Sequence, residues 1–237
     1  MHPTLTANNI RKNYGSLVAV DGVSIELDAH SITGLIGPNG SGKSTLINCL
    51  SGLIPLTGGQ VMLDGQDVTE WPIQRRVGAG FVRTFQNLRL HDDMSVGDNV
   101  LAAHTGVFRT DRRARLSAVS EILARLDLLE VFRVPAGSLS IGQRKRVELA
   151  RGLAARPRVL LLDEPAAGLD RTERRDLVTT LTEHVKQTGA AVLVVAHDMD
   201  LLRELCPSSI VLSAGSLLTQ GRTEDVLHDD RVIDTYL

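Results

Sequence analysis

The chain has 237 residues, with 26 Lys and Arg against 28 Asp and Glu and a formal net charge of −2 with histidine neutral. That balance removes the electrostatic case for a nucleic-acid binder, and aromatics at 3% leave few platforms on which bases would stack. The length suits one α/β domain carrying an inserted subdomain, and the longest apolar runs, such as 190–196, are strand-length, far short of the roughly 20 residues a membrane-spanning helix needs.

In chain order, Met1-His2-Pro3-Thr4 lacks a charged region followed by an apolar run, so no signal peptide is expected. From Leu5 to Leu27 the pattern is short and β-like, with turns expected at Tyr14-Gly15-Ser16 and Asp21-Gly22, an antiparallel layer. Ser31 to Ile36 reads as a buried strand, and Thr45 to Leu50 as the start of an amphipathic helix. Thr57-Gly58-Gly59 is expected to turn into a strand from Gln60 to Leu63, and a further short strand is expected from Phe81 to Thr84. Helical periodicity then takes over: Val119, Ile122, Leu123, Leu126 and Leu129 share a face opposite Glu121, Arg125 and Asp127. Arg144 to Ala154 is again helical. The runs Val159–Asp163 and Ala191–Ala196 are continuously apolar, as parallel strands buried on both faces are, and Arg171–Lys186 is a helix-length crossover between them. A hairpin turning at Ala214-Gly215 and a helix from Thr223 end the sequence. Cys49 and Cys206 lack metal-type spacing and read as reduced, packed thiols. Arg109, Arg112, Arg113 and Arg115 read as a solvated helix face, with a phospholipid or partner contact as the other reading.

Three stretches carry chemistry. Gly37, Pro38, Asn39, Gly40, Ser41, Gly42, Lys43 and Ser44 fit G-x-x-x-x-G-K-[ST] between a strand and the helix that Thr45 continues. Glycines let backbone N–H groups close around phosphate oxygens, and the helix N-terminus adds positive potential. Lys43 would reach the β- and γ-phosphates of a nucleoside triphosphate, and the Ser44 hydroxyl would ligate Mg²⁺. Val159 to Glu164 places acids at the C-terminal end of a buried strand, where open α/β sheets bind ligands. Asp163 would hold Mg²⁺ and Glu164 would polarise the attacking water. Ser138-Leu139-Ser140-Ile141-Gly142-Gln143 precedes a helix, so Ser140 and Gly142 offer an exposed helix N-terminus.

In that order, a P-loop, Leu-Ser-x-Gly-Gln and an apolar strand ending Asp-Glu-Pro resemble the ATP-binding cassette (ABC) ATPases along essentially the whole chain. The resemblance implies a P-loop α/β fold with a mostly parallel sheet, an N-terminal antiparallel β layer and an inserted α-helical subdomain. The core would comprise 1–87 and 155–237, and the insertion 88–154. It also implies ATP and Mg²⁺ as ligands and an ATPase built as a head-to-tail dimer. Ser140, Gly142 and Gln143 of one subunit would contact the γ-phosphate held by the P-loop of another. Tyr14 matches the aromatic that stacks on adenine, though alone it could simply cover the β layer. Gln86 matches the glutamine that contacts Mg²⁺ and water, and Gly168-Leu169-Asp170 the loop crossing the dimer interface. His197 matches the histidine on the γ-phosphate; the other six histidines are expected at the surface. Lys43, Gln86, Glu164 and His197 would be the catalytic set.

Finer likeness points to the ATP-binding subunits of branched-chain amino-acid uptake systems. It lies in Arg83–Leu90, in Asp163–Leu169 and in the ending Arg231–Leu237. Ile141 departs from the glycine or aromatic usual there. The implied partners are a second ATPase subunit, two transmembrane permeases and, indirectly, a substrate-binding protein, at the cytoplasmic face of the membrane. A urea or amide importer, a lipopolysaccharide-type exporter and a soluble non-transport ABC ATPase are the alternatives.

Overall fold

The computed structural model describes residues 3–84, 90–104 and 112–236. Its strands are β1 (Leu5–Tyr14), β2 (Leu17–Leu27), β3 (Ile32–Ile36), β4 (Gly58–Leu63), β5 (Gln66–Asp67), β6 (Phe81–Arg83), β7 (Val159–Asp163), β8 (Ala191–Val195), β9 (Ser208–Ser213) and β10 (Ser216–Arg222). The helices are α1 (Lys43–Leu50), α2 (Ile73–Gly78), α3 (Val96–His104), α4 (Arg112–Arg125), α5 (Ile141–Ala154), α6 (Arg171–Thr188), α7 (Met199–Leu205), α8 (Thr223–Leu227) and α9 (Asp230–Tyr236). One sheet is antiparallel, ordered β2-β1-β4-β5; the other is ordered β10-β9-β3-β8-β7-β6 and is parallel except for β10. The expected α/β class with a mostly parallel sheet and an antiparallel layer is the fold observed.

Alternation within the parallel strands explains why they are apolar throughout. Leu35, Val159, Leu161, Leu193 and Val195 face a core shared with Leu46, Ile47 and Leu50 of α1 and with Leu5, Ile10 and Ile25 of the antiparallel sheet. Their neighbours Ile36, Leu160, Leu162, Val192 and Val194 face a second core with α4, α5, α6 and α7. β3, β7 and β8 therefore bury both sides. α5 packs against α3 and α4 through Val96, Val100, Val119, Leu123, Val147 and Ala150.

Several expectations need correction. Asp21-Gly22 is not a turn: β2 runs through it, Gly22 takes φ +68°, and the β1–β2 register slips there, which makes it a bulge. β4 already begins at Gly58, where Gly59 (φ +96°) lets the chain approach the Asn8 and Asn9 carbonyls. The helix carrying Val119 stops at Arg125, because Asp127 turns left-handed (φ +53°), and Leu129 is exposed. The C-terminal helix is two, α8 and α9. α2 and α7, of 6 and 7 residues, went unread because neither is long enough to show a period. Both cysteines are buried free thiols, pushed up to about 11 (Cys49) and about 12 (Cys206) by burial.

Among the histidines whose burial is described, His184 departs from a surface location. It is 6% exposed on the inner face of α6, and its Nε2 is buried without a hydrogen-bond partner among the described residues. Burial, reinforced by the Arg125 guanidinium, lowers its pKa from 6.5 to about 4. Between those values the unfolded chain binds the proton and the folded one does not, so stability is full above pH 6.5 and falls as the pH drops toward 4. Urea titrations across that window should show the wild type losing about 3 kcal/mol more than His184→Leu. Parallel pH profiles for the two proteins would remove the buried-neutral assignment.

Candidate nucleotide site

The P-loop joins β3 to α1 at the C-terminal edge of the parallel sheet. Its backbone could not carry ordinary side chains at its ends. A Cβ on Gly37 would lie 2.2 Å from the Leu212 carbonyl oxygen, and one on Gly42 (φ +99°) 2.5 Å from the Ala19 oxygen. Gly42 caps α1 in the left-handed conformation with no side-chain hydrogen bond over the helix end, which leaves the N–H groups of the first turn facing the loop. Lys43 Nζ donates to the carbonyls of Gly37 (2.7 Å) and Pro38 (3.0 Å), so the loop is curled around the ammonium. Burial lowers the lysine pKa, with Glu164 and then Asp163 opposing. Ser41 Oγ is buried and has no hydrogen-bond partner among the described residues, while Ser44 is exposed and Thr45 half-buried. An orphaned hydroxyl, an uncapped helix start and a resident cation form a cradle that suits a triphosphate.

Opposite the loop, sheet register lines up the acids. Leu35 pairs with Val195, and Val195 with Asp163, in one row across β3, β8 and β7. Asp163 lies 3.3 Å (Oδ2) from Arg83 Nη2, and its N–H reaches Thr84 Oγ1 at 3.4 Å. Glu164 leaves the strand at φ +51°, a left-handed conformation that costs a non-glycine residue about 1–2 kcal/mol. Its N–H donates to the Val195 carbonyl (3.0 Å), which pins this geometry. His197 Nε2 lies 3.1 Å from Glu164 Oε1. As the Nε2–H tautomer the imidazole donates to the carboxylate and fixes its direction. Asp198, next along, caps α7 through Oδ1, accepting from the Asp200 and Leu201 N–H groups, while Oδ2 accepts from Arg174 of α6.

Tyr14 ends β1, half exposed, with Lys12 Nζ 5.0 Å from its ring centroid and Leu17 paired opposite it. The hairpin bearing it lies against the P-loop, since Ala19 and Val20 are the neighbours of Gly42. Gly168 takes φ +73°, and Asp170 caps α6 in a capping box with Glu173. Gln86 and Arg109 lie outside the described residues. Among the described residues no group of three or more His, Cys, Asp or Glu is arranged to hold a metal. Ser44 with Asp163 suits an ion that arrives on phosphate oxygens, as Mg²⁺ does.

Ser140, Gly142 and Gln143 open α5. Ser140 caps α5 in a reciprocal box with Gln143. Ile141 is 71% exposed, and Gly142 faces the Glu173 carboxylate, which a Cβ would meet at 2.4 Å. Among the described residues no hydrogen bond or ion pair joins the three to their own P-loop. Sequence reasoning missed Arg83 and Thr84 as groups on Asp163. The available signal was an arginine at the end of a short strand that leads toward Gln86.

The protein-family model described as ABC transporter matches residues 20–167. The high-affinity branched-chain amino acid transport ATP-binding protein BraF of Pseudomonas aeruginosa is 34% identical, over 99% of this chain and 98% of that protein. Its counterpart LivG of Escherichia coli K12 is 36% identical at the same coverage. The lipopolysaccharide export system ATP-binding protein LptB of Escherichia coli K12 is 33% identical, over 99% and 97%. Among solved structures, the ADP conformation of an ATP-binding cassette of an ABC transporter superposes with a TM-score of 0.89 at 30% identity, covering 100% of this chain and 99% of that one.

Proposed function

This chain belongs to the ABC transporter family and is an ATP-hydrolysing subunit of such a transporter, and we propose that the transporter imports branched-chain amino acids. The observation that carries the cargo is likeness along the full chain to the branched-chain amino acid proteins of Pseudomonas and Escherichia. A lipopolysaccharide-type exporter is the second reading, favoured by the export protein at 33% identity. The Arg83–Leu90 stretch weighs for import. Related urea or amide importers share the same cytoplasmic chemistry, because this subunit does not touch cargo.

The P-loop N–H groups and Lys43 hold the phosphates, and Tyr14 stacks on the adenine. Ser44, Asp163 and Gln86 would hold Mg²⁺, which when bound neutralises phosphate charge. Glu164, aimed by His197, orients the water that attacks the γ-phosphorus and takes its proton as the bond to the ADP oxygen breaks. The exposed, self-capped start of α5 supports completion of the site by a second subunit, placed head to tail, whose Ser140, Gly142 and Gln143 or their counterparts face this P-loop. Segment 88–154 acts as the unit that meets the permeases. Among the described residues no helix is long and apolar enough to cross a membrane. The permeases would hold the subunit peripherally, at the cytoplasmic face.

A mild-detergent pull-down of the tagged chain from its native membranes, read by mass spectrometry, tests the assignment. Two multi-span permeases with a second, different cassette are expected. Export permeases around a homodimer would replace import with export, and soluble partners alone would leave only the ATPase.

A further inference from the structure

We propose that Arg83 is a positioning residue of the ATPase site, serving as the exchangeable counter-cation of Asp163 that gives way to the divalent cation arriving with the nucleotide. The proposal rests on the reading of Asp163 as a metal ligand, and the experiment below separates the two.

The Asp163 side chain is 8% exposed and that of Arg83 10%. An unpaired carboxylate at that depth is strongly disfavoured, so a cation has to face it whether or not nucleotide is bound. Lys43 feels Asp163 electrostatically, but its ammonium is committed to the Gly37 and Pro38 carbonyls. The guanidinium of Arg83 provides the facing charge. It does so loosely, through Nη2 and Oδ2 at 3.3 Å, just beyond the usual range for an N–H···O bond and without the two-pronged grip arginine makes on carboxylates elsewhere. A second contact is with a neutral group, since Nη1 donates to Asn48 Oδ1. Arg83 therefore stays anchored on α1 when Asp163 is taken from it.

The three corners of this contact belong to three parts of the site. Asn48 lies on α1 about one turn beyond Ser44. Asp163 ends β7, and Arg83 ends β6 three residues before Gln86. A cation reaching Asp163 and Ser44 displaces a positive charge attached to the strand that leads to Gln86. The exchange needs no group to change its protonation.

The test is equilibrium binding of a fluorescent, non-hydrolysable ATP analogue to the full chain, in EDTA and across a Mg²⁺ titration. In EDTA, Arg83 shields the incoming phosphates from Asp163, so Arg83→Met should weaken binding. With Mg²⁺, the displaced competitor is gone, so half-saturation should move to lower Mg²⁺ by on the order of tenfold, the weight of one nearly buried charge pair. Opposite signs in the two conditions are the signature of exchange. Equal factors in both, or no change in either, would overturn the proposal and leave Arg83 a structural tie. If Arg83→Met does not yield folded protein, Arg83→Lys decides, with the same shifts expected at smaller size and an unchanged Mg²⁺ midpoint overturning it. Asp163→Asn is the control for the underlying reading. Unaltered Mg²⁺ dependence there removes Asp163 as a metal ligand and the Arg83 proposal with it, whereas a lost dependence with an inert Arg83 removes only the latter.

Discussion

Glu164→Gln lowers ATP turnover by about 10²- to 10⁴-fold, the range general-base removal takes from an enzyme, and leaves ATP binding intact. The substitution is chosen for what it keeps. Glutamine matches the size of glutamate, its Oε1 can still accept from His197 Nε2, and the Glu164 N–H bond to the Val195 carbonyl does not involve the side chain. The left-handed backbone at this position and the row of residues beside it are undisturbed. What is lost is a basic oxygen able to take the proton of water, together with a negative charge that supports the protonated state of Lys43. Single-turnover phosphate release should collapse while equilibrium binding of ATP holds. Near-normal turnover would move the base elsewhere.

Arg76→Met is expected to lower folding stability by about 1–3 kcal/mol, the cost of leaving buried acceptors unsatisfied and a sizeable share of the 5–15 kcal/mol typical of a domain. Arg76 is 2% exposed and faces backbone carbonyls. Its guanidinium donates to Leu50 (2.5 Å) and Cys49 (3.4 Å) at the C-terminal end of α1, to Thr69 (2.7 Å) and to Trp71 (3.3 Å). Burial lowers its pKa, and the partial negative charge at the end of α1 is what the cation sits against. Gly52 (φ +73°) keeps the space open, since a Cβ there would stand 2.7 Å from Arg76 Nε. Methionine would fill much of the volume and satisfy none of those oxygens. Urea unfolding should show a lower midpoint with an unchanged slope. Because α1 begins at Lys43, ATP affinity should weaken in the same variant. A midpoint within error of wild type would mean that water replaces the guanidinium.

The sequence was legible where a local pattern carries the information. The P-loop, the strand ending at Asp163 and the helix start at Ser140 are each defined within about a dozen residues, and each lies on the element expected of it. Contacts that close over long separations were not legible. Arg76 reaches Leu50 across 26 positions and Arg83 reaches Asp163 across 80, and no window of sequence holds both partners. The turn read at Asp21-Gly22 failed differently: the same glycine freedom that makes a turn also makes a bulge, and only the partner strand decides. The burial of His184, by contrast, follows from a local period. Leu177, Leu181, His184 and Val185 fall at i, i+4, i+7 and i+8, so the histidine belonged to the buried stripe of α6.

The hold of the P-loop carbonyls on Lys43 bears on kinetics as well as affinity. An exposed lysine would have to shed water and lose on the order of 2 kcal/mol of side-chain freedom each time nucleotide arrived. Here both losses are incurred once, on folding, and phosphate oxygens need only replace the Gly37 and Pro38 carbonyls as acceptors. The swap runs in reverse when product leaves, so the loop closes on its own cation instead of opening to solvent. Association of ATP should accordingly be limited by encounter, with no slow step in which the loop assembles around the ligand.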